Sequence, residues 1–360
     1  MFRSVPAGCD MTNARSLHHP SSVAPMAVLS TARLALRELR LDDAEVVAGY
    51  RNDPAVSAMQ DWPLPYTVDH YIERFNRRGG GHLDLAAGTN LGIEVDGVLV
   101  GDVYVQCNDG IAELGWTLST PAQGHGYATE AAAAVVEWLV RHHDAHRFHA
   151  SLHPDNVASA RVCEAIGMAF EALTRLNFPG RNGWEDDLHY AMTRADWETW
   201  VSRPRNRPDV VRLVELGPHN SSTYRRLTTH RSQERLVAPM WASYEHALFP
   251  EIIDGAPVVP WMRGIEADGE PAGFVMLADV TEHHPEPYLW RLLIDRSHQR
   301  RGIGEAALAL VADRLRGDGH RTLMTSWVDG PGSPRPFYER LGFVPTGDID
   351  DGEIVGRVTL

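Results

Sequence analysis

Gln123-Gly124-His125-Gly126-Tyr127-Ala128 and Gln299-Arg300-Arg301-Gly302-Ile303-Gly304 are two versions of one short pattern, and their surroundings decide the fold. Each follows an apolar, strand-like run: Leu114-Gly115-Trp116-Thr117-Leu118 before the first, Leu289-Trp290-Arg291-Leu292-Leu293-Ile294 before the second. Each opens a helix-like run, Thr129 to Leu139 and Glu305 to Leu315. A strand, a glycine turn and a helix N-terminus together make an anion site. The first amides of a helix have no intrahelical acceptor, and the helix dipole favours negative charge there. Glycine lets the backbone approach a pyrophosphate with no Cβ in the way.

Two copies point to two similar domains, and 360 residues accommodate two at about 100–200 residues each. The interval from Gln123 to Gln299 is far longer than solenoid or propeller repeats of about 50 residues or less. Composition is that of a globular protein, with 43% hydrophobic and 23% charged residues. A formal net charge of −14 argues against a nucleic-acid partner and agrees with a cationic substrate, though acidity for solubility alone explains it equally well. Cys9, Cys107 and Cys163 are scattered and odd in number, which suggests neither a disulfide framework nor a zinc motif and fits a reducing cytoplasm. No apolar run reaches the roughly 18 residues that span a bilayer, so no membrane association is expected. His142, His143, His146 and His149 cluster at a helix end, but surface histidines there are commoner than metal ligands, and no metal is assigned. The Gly79-Gly80-Gly81 run lacks the Lys-Ser/Thr of a nucleotide loop and reads as a flexible edge.

Residues 1–27, rich in Ser, Pro and His, read as a disordered extension, with Met26 as an alternative start. Val28 to Leu39 alternates as a strand, and Leu41-Asp42-Asp43-Ala44 has the acidic residues of a helix start. Leu91 to Val105 is a hairpin turning at Asp96-Gly97. Phe148 to Leu152 is a strand, and Asn156 to Gly167 a helix closed by its glycine. The charged, proline-rich segment 201–209 reads as a linker between domains at 28–200 and 210–360. The second half repeats the order. It has a strand at Val210 to Leu216, a mostly helical stretch from Ser222 to Ala247 and a hairpin near Asp268-Gly269. A strand at Arg321 to Trp327, a short helix at Pro336 to Leu341 and a closing strand at Val355 to Leu360 complete it. Such alternation predicts α/β units on a mixed sheet.

With these residues in place, the chain resembles the GNAT superfamily of acyl-CoA-dependent N-acyltransferases, whose phosphate loop is Arg/Gln-x-x-Gly-x-Gly/Ala between a strand and a helix. Both hexapeptides match it, and the resemblance spans nearly all of 28–200 and 210–360. The first half resembles the Rim-type branch through Thr31-Ala32-Arg33-Leu34-Ala35-Leu36-Arg37, Glu113 to Leu118, and Asn156-x-x-Ser159-Ala160-Arg161-Val162. The second resembles the spermine/spermidine acetyltransferase branch through Trp290 to Asp295, Phe337 to Phe343 and Asp351-Gly352-Glu353. The resemblance implies two tandem domains, each a mixed, largely antiparallel sheet flanked by helices with a splayed central strand pair.

It also implies acetyl-CoA as cofactor and a small-molecule primary amine as acceptor, either a polyamine or an amine-bearing antibiotic. Protein N-termini or lysines are the alternative acceptors, and a homodimer is left open. Residues implied to hold coenzyme A are Trp116, Thr117, Leu118, Gln123, Gly124, His125, Gly126, Tyr127, Ala128 and Asn156 in the first half. In the second they are Leu292, Leu293, Ile294, Gln299, Arg300, Arg301, Gly302, Ile303 and Gly304. Tyr338 matches the superfamily's tyrosine that protonates the departing thiolate; its counterpart in the first half is Cys163, so Ser159 is expected to take that role. Glu113 is the candidate base, and Glu353 and Glu282 are the candidates for acceptor binding. For Asn156 and Ser159 helix capping is an equal alternative. The missing tyrosine also motivates a rival in which the first domain binds acyl-CoA without turnover.

Overall fold

The computed structural model describes residues 28–360 except 79, 81, 182, 254 and 331; the expected N-terminal extension and two residues of the glycine run lie outside them. The N-terminal domain is an eight-stranded sheet made of β1 (Leu29–Ser30), β2 (Ala35–Glu38), β3 (Thr89–Val95), β4 (Val98–Asn108), β5 (Ile111–Leu118), β6 (Arg147–Leu152), β7 (Ala169–Gly180) and β8 (Gly183–Thr193). The strands run in the order β1-β2-β3-β4-β5-β6-β8-β7. Asp96 and Gly97 both take positive φ, 50° and 78°, as a two-residue hairpin between twisted strands requires. The stretch read as one strand from Val28 to Leu39 is instead the small β1–β2 hairpin, closed by a bond from the Thr31 amide to the Leu34 carbonyl.

Every pairing in this sheet is antiparallel except β5 with β6, and that one is short. It holds Ile111 to Arg147, Ala112 to Phe148 and Glu113 to His149, and then stops. From Leu114 onward β5 keeps its β4 partner but none on the other side, so the sheet opens into a fork. Helices α1 (Ala44–Asn52), α2 (Pro54–Ser57) and α3 (Val68–Arg77) are inserted between β2 and β3. Helix α4 (Tyr127–His142) follows β5 and packs Ala131, Ala132, Val135, Val136 and Leu139 into a core with Val103, Val105 and Phe148. These five positions recur at helical spacing and form one apolar stripe. Helices α5 (Val157–Ile166) and α6 (Arg194–Ser202) complete the domain. Gly167 ends α5 at φ 103°, and a Cβ there would stand 2.5 Å from the ring of Trp200 on α6. Glycine is therefore required twice over, by conformation and by space.

Between α6 and β9 (Val211–Glu215) the chain has no regular element. The C-terminal domain contains helix α7 (Ser221–Tyr224), helix α8 (Met240–Leu248) and a two-residue hairpin of β10 (Ile252–Ile253) and β11 (Ala256–Pro257). Next come β12 (Val259–Ala267), β13 (Glu270–Asp279), β14 (Tyr288–Ile294), helix α9 (Ile303–Gly317) and β15 (Thr322–Trp327). Helix α10 (Arg335–Arg340), β16 (Val344–Asp350) and β17 (Glu353–Thr359) close the chain. The main sheet runs β16-β17-β15-β14-β13-β12-β9, and its one parallel pair, β14 with β15, is again cut short after Tyr288–Met324 and Leu289–Thr325. The stretch expected to be mostly helical from Ser222 to Ala247 is broken. Between α7 and α8 lies only a 3-10 turn at Arg231–Gln233, and Pro239 holds the position before α8, where its missing N–H costs nothing.

Candidate active sites

Both hexapeptides fold alike. Gly126 and Gly302 precede the first residues of α4 and α9 with φ of 80° and 76°, in the left-handed region. No side chain caps either helix, whereas Thr67, Asn156 and Thr193 cap α3, α5 and α6. The leading amides of these two helices are left for a ligand. Two residues earlier, Gly124 holds φ 78° with nothing within 4 Å of where a Cβ would sit. Its counterpart Arg300 holds φ 61° despite its side chain, a conformation costing about 1–2 kcal/mol. Gln123 and Gln299, expected to touch the ligand, close the turn itself: their side-chain amides donate to the carbonyls of Leu118 (3.2 Å) and Ile294 (3.0 Å).

An arginine stands over each cap glycine, and neither was assigned a role from the sequence. A Cβ on Gly126 would lie 3.6 Å from Arg33 Nη2, and one on Gly302 would lie 3.5 Å from Arg207 Nε. Arg33 is braced by Glu130 in the first turn of α4 (2.7 Å from Nε), donates to the His125 carbonyl at 3.0 Å, and sits 5.0 Å above the Tyr127 ring. Arg207 comes from the segment joining the domains and makes no ion pair among the described residues. Arg301 takes a different path from the one expected. Its guanidinium is buried, donating Nε to the Asn206 carbonyl at 2.8 Å and lying 3.7 Å from Asp268. It anchors the interdomain segment, and of the two loop arginines only Arg300 is exposed.

In the N-terminal domain a cavity of about 550 Å³ lies at the β5–β6 fork and is lined by Glu113, Trp116, Thr117, Asn156 and Ser159. Glu113 is the last paired residue of β5 on that side, so it sits at the root of the fork. Leu118 and the loop residues Gln123, Gly124, His125, Gly126, Tyr127 and Ala128 do not line this cavity. Asn156 does cap α5, its Oδ1 accepting from the Ser159 amide at 3.0 Å, while Ser159 Oγ accepts from the Trp116 indole at 3.2 Å. Cys163 is fully buried in the core, and burial pushes its thiol up, so it is inert packing. Burial likewise raises the carboxyl of Asp187, which reaches the cavity from β8.

The C-terminal domain has a larger cavity, about 1100 Å³, lined by Leu292, Ile294, Gln299, Arg300, Gly302, Ile303, Gly304, Tyr338 and Glu353. Leu293 is absent from this wall because strand side chains alternate; it points through the other face into a core with Tyr224 and Met240. Glu282 is exposed in the β13–β14 loop and does not reach the cavity. Glu353 accepts from Ser326 Oγ at 2.5 Å. Tyr338 stacks on Trp327 with ring centroids 5.6 Å apart and meets Phe337 and Phe343 edge-on. Burial pushes its phenol up to about 12. A Cβ on Gly304 would come within 3.3 Å of Phe337, so this glycine lets α9 approach α10 closely.

The two domains touch through the last turns of α5. Glu164, 5% exposed, accepts from the amide (2.9 Å) and hydroxyl (2.7 Å) of Ser232 in the 3-10 turn of the C-terminal domain. The next residue, Gln233, receives a 2.8 Å bond from Gln299 of the second loop. Arg296 donates to the Met168 carbonyl at 3.1 Å and lies 5.8 Å from the Trp200 ring.

Residues 33–169 match the acetyltransferase (GNAT) domain family and residues 223–343 the acetyltransferase (GNAT) family. Over 171 residues the chain is 29% identical to the uncharacterized N-acetyltransferase YnaD of Bacillus subtilis (strain 168), covering 47% of this chain and 98% of that protein. It is 28% identical over 160 residues to the uncharacterized N-acetyltransferase p20 of Bacillus licheniformis, covering 42% and 86%. Among solved structures, a GNAT-family acetyltransferase from Bacillus anthracis is similar at 28% identity and a TM-score of 0.41, covering 47% of this chain and 97% of the other.

Proposed function

Because the chain carries two GNAT acetyltransferase domains, we propose that it transfers an acetyl group from acetyl-CoA to a primary amine, with a site in each of the segments 28–200 and 210–360. The observation that carries this reading is the repeated pairing of a strand fork with an uncapped helix N-terminus. The loop amides suit a diphosphate: no cap competes for them, and Gly124 leaves its approach open. The unpaired edge of β5 beyond Glu113, or of β14 beyond Leu289, offers backbone groups to the amide-bearing pantetheine arm, leading the thioester toward the cavity.

Held there, the amine nitrogen attacks the thioester carbonyl carbon; a C–N bond forms, the C–S bond breaks, the amine loses a proton and the leaving thiolate gains one. In the C-terminal site Tyr338 supplies that proton. Its raised pKa keeps the phenol protonated at working pH, so it is available to hydrogen-bond the leaving sulfur and pass it a proton that solvent then replaces. Glu353 supports a small cationic amine, a polyamine or an aminated antibiotic, in this cavity. In the N-terminal site Ser159 is placed to hydrogen-bond the thiolate, with Glu113 as the base at the fork.

A second reading, that the N-terminal domain binds acyl-CoA without turnover, is favoured by buried Cys163 at the tyrosine position. Thiol release from acetyl-CoA against a panel of amines, using the whole chain and the single variants Gly126→Glu and Gly302→Glu, separates these. Each variant places a carboxylate where the diphosphate binds and should silence its own site. Absence of thiol release with every amine would overturn the transferase reading, and activity lost entirely in Gly302→Glu would assign turnover to one domain.

A further inference from the structure

The cavity of the N-terminal domain carries charged side chains of both signs. Four guanidinium groups line it: Arg51 from α1, Arg74 and Arg78 from α3 and its C-terminal end, and Arg181, which donates to the Trp62 carbonyl at 3.3 Å. Among the described residues Asp102 pairs with Arg51 alone and is fully engaged: it lies 3.2 Å from Arg51 and accepts from Asn90 Nδ2 at 2.6 Å and from the Tyr50 hydroxyl. Arg51 is 4% exposed, and its Nε is buried without a partner. Arg74 has only a 3.5 Å approach to the Asn90 side-chain oxygen. Arg78 donates to that same oxygen at 2.7 Å and lies 5.1 Å above the Tyr104 ring. Among the described residues neither Arg74 nor Arg78 forms an ion pair.

Partly buried cations without counter-ions are costly, and these two crowd one another. Burial and the charges of Arg78 and Arg51 pull the Arg74 pKa down, the response of a cation lacking an anion. Planar guanidinium forks suit carboxylate and phosphate oxygens, which they bind in pairs. The same cavity carries the opposite sign elsewhere, with Asp61, Glu113 at the fork, and Glu185 and Asp187 on β8. Resting on the reading of this cavity as an acceptor site, we propose that the N-terminal domain acetylates a primary amine that also bears an anionic group, held by Arg74 and Arg78 while its ammonium faces Glu113 and Asp187. The acceptor is therefore zwitterionic, of the class of amino carboxylates or amino phosphonates.

The test uses the full chain with acetyl-CoA and a matched series of ω-amino carboxylates of two to six carbons, their carboxamides, and the corresponding aminophosphonates. The best carboxylate or phosphonate should exceed its neutral partner about 10–100-fold in kcat/KM, the range expected of a charge-assisted bond, and the two anionic arms identify which group is taken. Arg74→Gln and Arg78→Gln should each bring that ratio toward one, chiefly through KM. Arg78→Lys should retain part of it. Arg77→Gln, on the exposed face of α3 and paired with Glu73, should leave it intact. Equal use of anionic and neutral amines, or a preference untouched by both glutamine variants, would overturn the proposal. Calorimetry with the N-acetylated ω-amino carboxylate and its carboxamide decides it without turnover or variants. Tighter binding of the carboxylate supports the anion site even if no amine releases thiol, and equal binding refutes it even if transfer is observed.

Discussion

Replacing Tyr338 by phenylalanine removes a single oxygen from a ring that is already fixed. The ring is 8% exposed, stacked on Trp327 at a 20° interplanar angle, and flanked by Phe337 and Phe343. Phenylalanine fills the same box, so stability should change by no more than the roughly 1 kcal/mol net value of one hydrogen bond. The reaction has more to lose. Proton donation by a positioned acid is worth about 10²–10⁴-fold, which is about 2.7–5.4 kcal/mol at 1.36 kcal/mol per decade. Turnover at the C-terminal site should therefore fall at least about a hundredfold while coenzyme affinity stays within about twofold. The assay is thiol release in a Gly126→Glu background, so that the first domain contributes nothing, paired with calorimetric titration of coenzyme A and a thermal melt. A turnover number within twofold of the parent would refute the acid role. So would a fall in rate matched by an equal loss of coenzyme binding, because that would make Tyr338 part of the wall and not of the proton transfer.

Other expectations follow from the same geometry. Arg33→Ala and Arg207→Ala should each weaken coenzyme binding at their own loop about tenfold, the loss of one charge-assisted contact, with little change in melting temperature; unchanged titrations would remove both from the phosphate site. Arg37 bonds Asp43 at 2.7 Å and Glu94 at 2.6 Å in near-complete burial, so Arg37→Ala should cost about 3–5 kcal/mol in denaturant unfolding by stranding two carboxylates. Tyr338 is raised from the ordinary 10 to about 12, and Tyr224 likewise to about 12. The unfolded chain therefore ionises first. The stability these groups contribute is complete below pH 10 and lost between about pH 10 and 12, and a flat melting temperature across that window would contradict their burial.

The two loops were legible because their information is local. A glycine at an open left-handed position, a strand before it and a helix after it lie within some thirty residues, and the repeat confirms itself. The fork was legible only through resemblance, since nothing in Glu113 to Leu118 says where β6 departs. Side-chain direction was not legible: Leu293, expected to act through its backbone, turns its side chain into the core with Tyr224, and Arg301 turns toward Asn206. Glu282 was named from sequence position and lies exposed in a loop. The acceptor walls were not legible. Arg51, Arg74 and Arg78 sit on helices inserted between strands, and Asp187 lies on a strand more than one hundred residues further on, with no motif linking them. Arg33 did leave a signal, because it sits in the Thr31 to Arg37 segment that carried the resemblance, but its use depends on Glu130 turning it over Gly126.

The bond between Glu164 and Ser232 bears on how such a chain is inherited. Were the gene split between the two halves, one fragment would carry a carboxylate on a freshly wetted face, and the other would part with Arg207 and with the carboxylate that holds Ser232. Drift in either half at these contacts is answerable to the other.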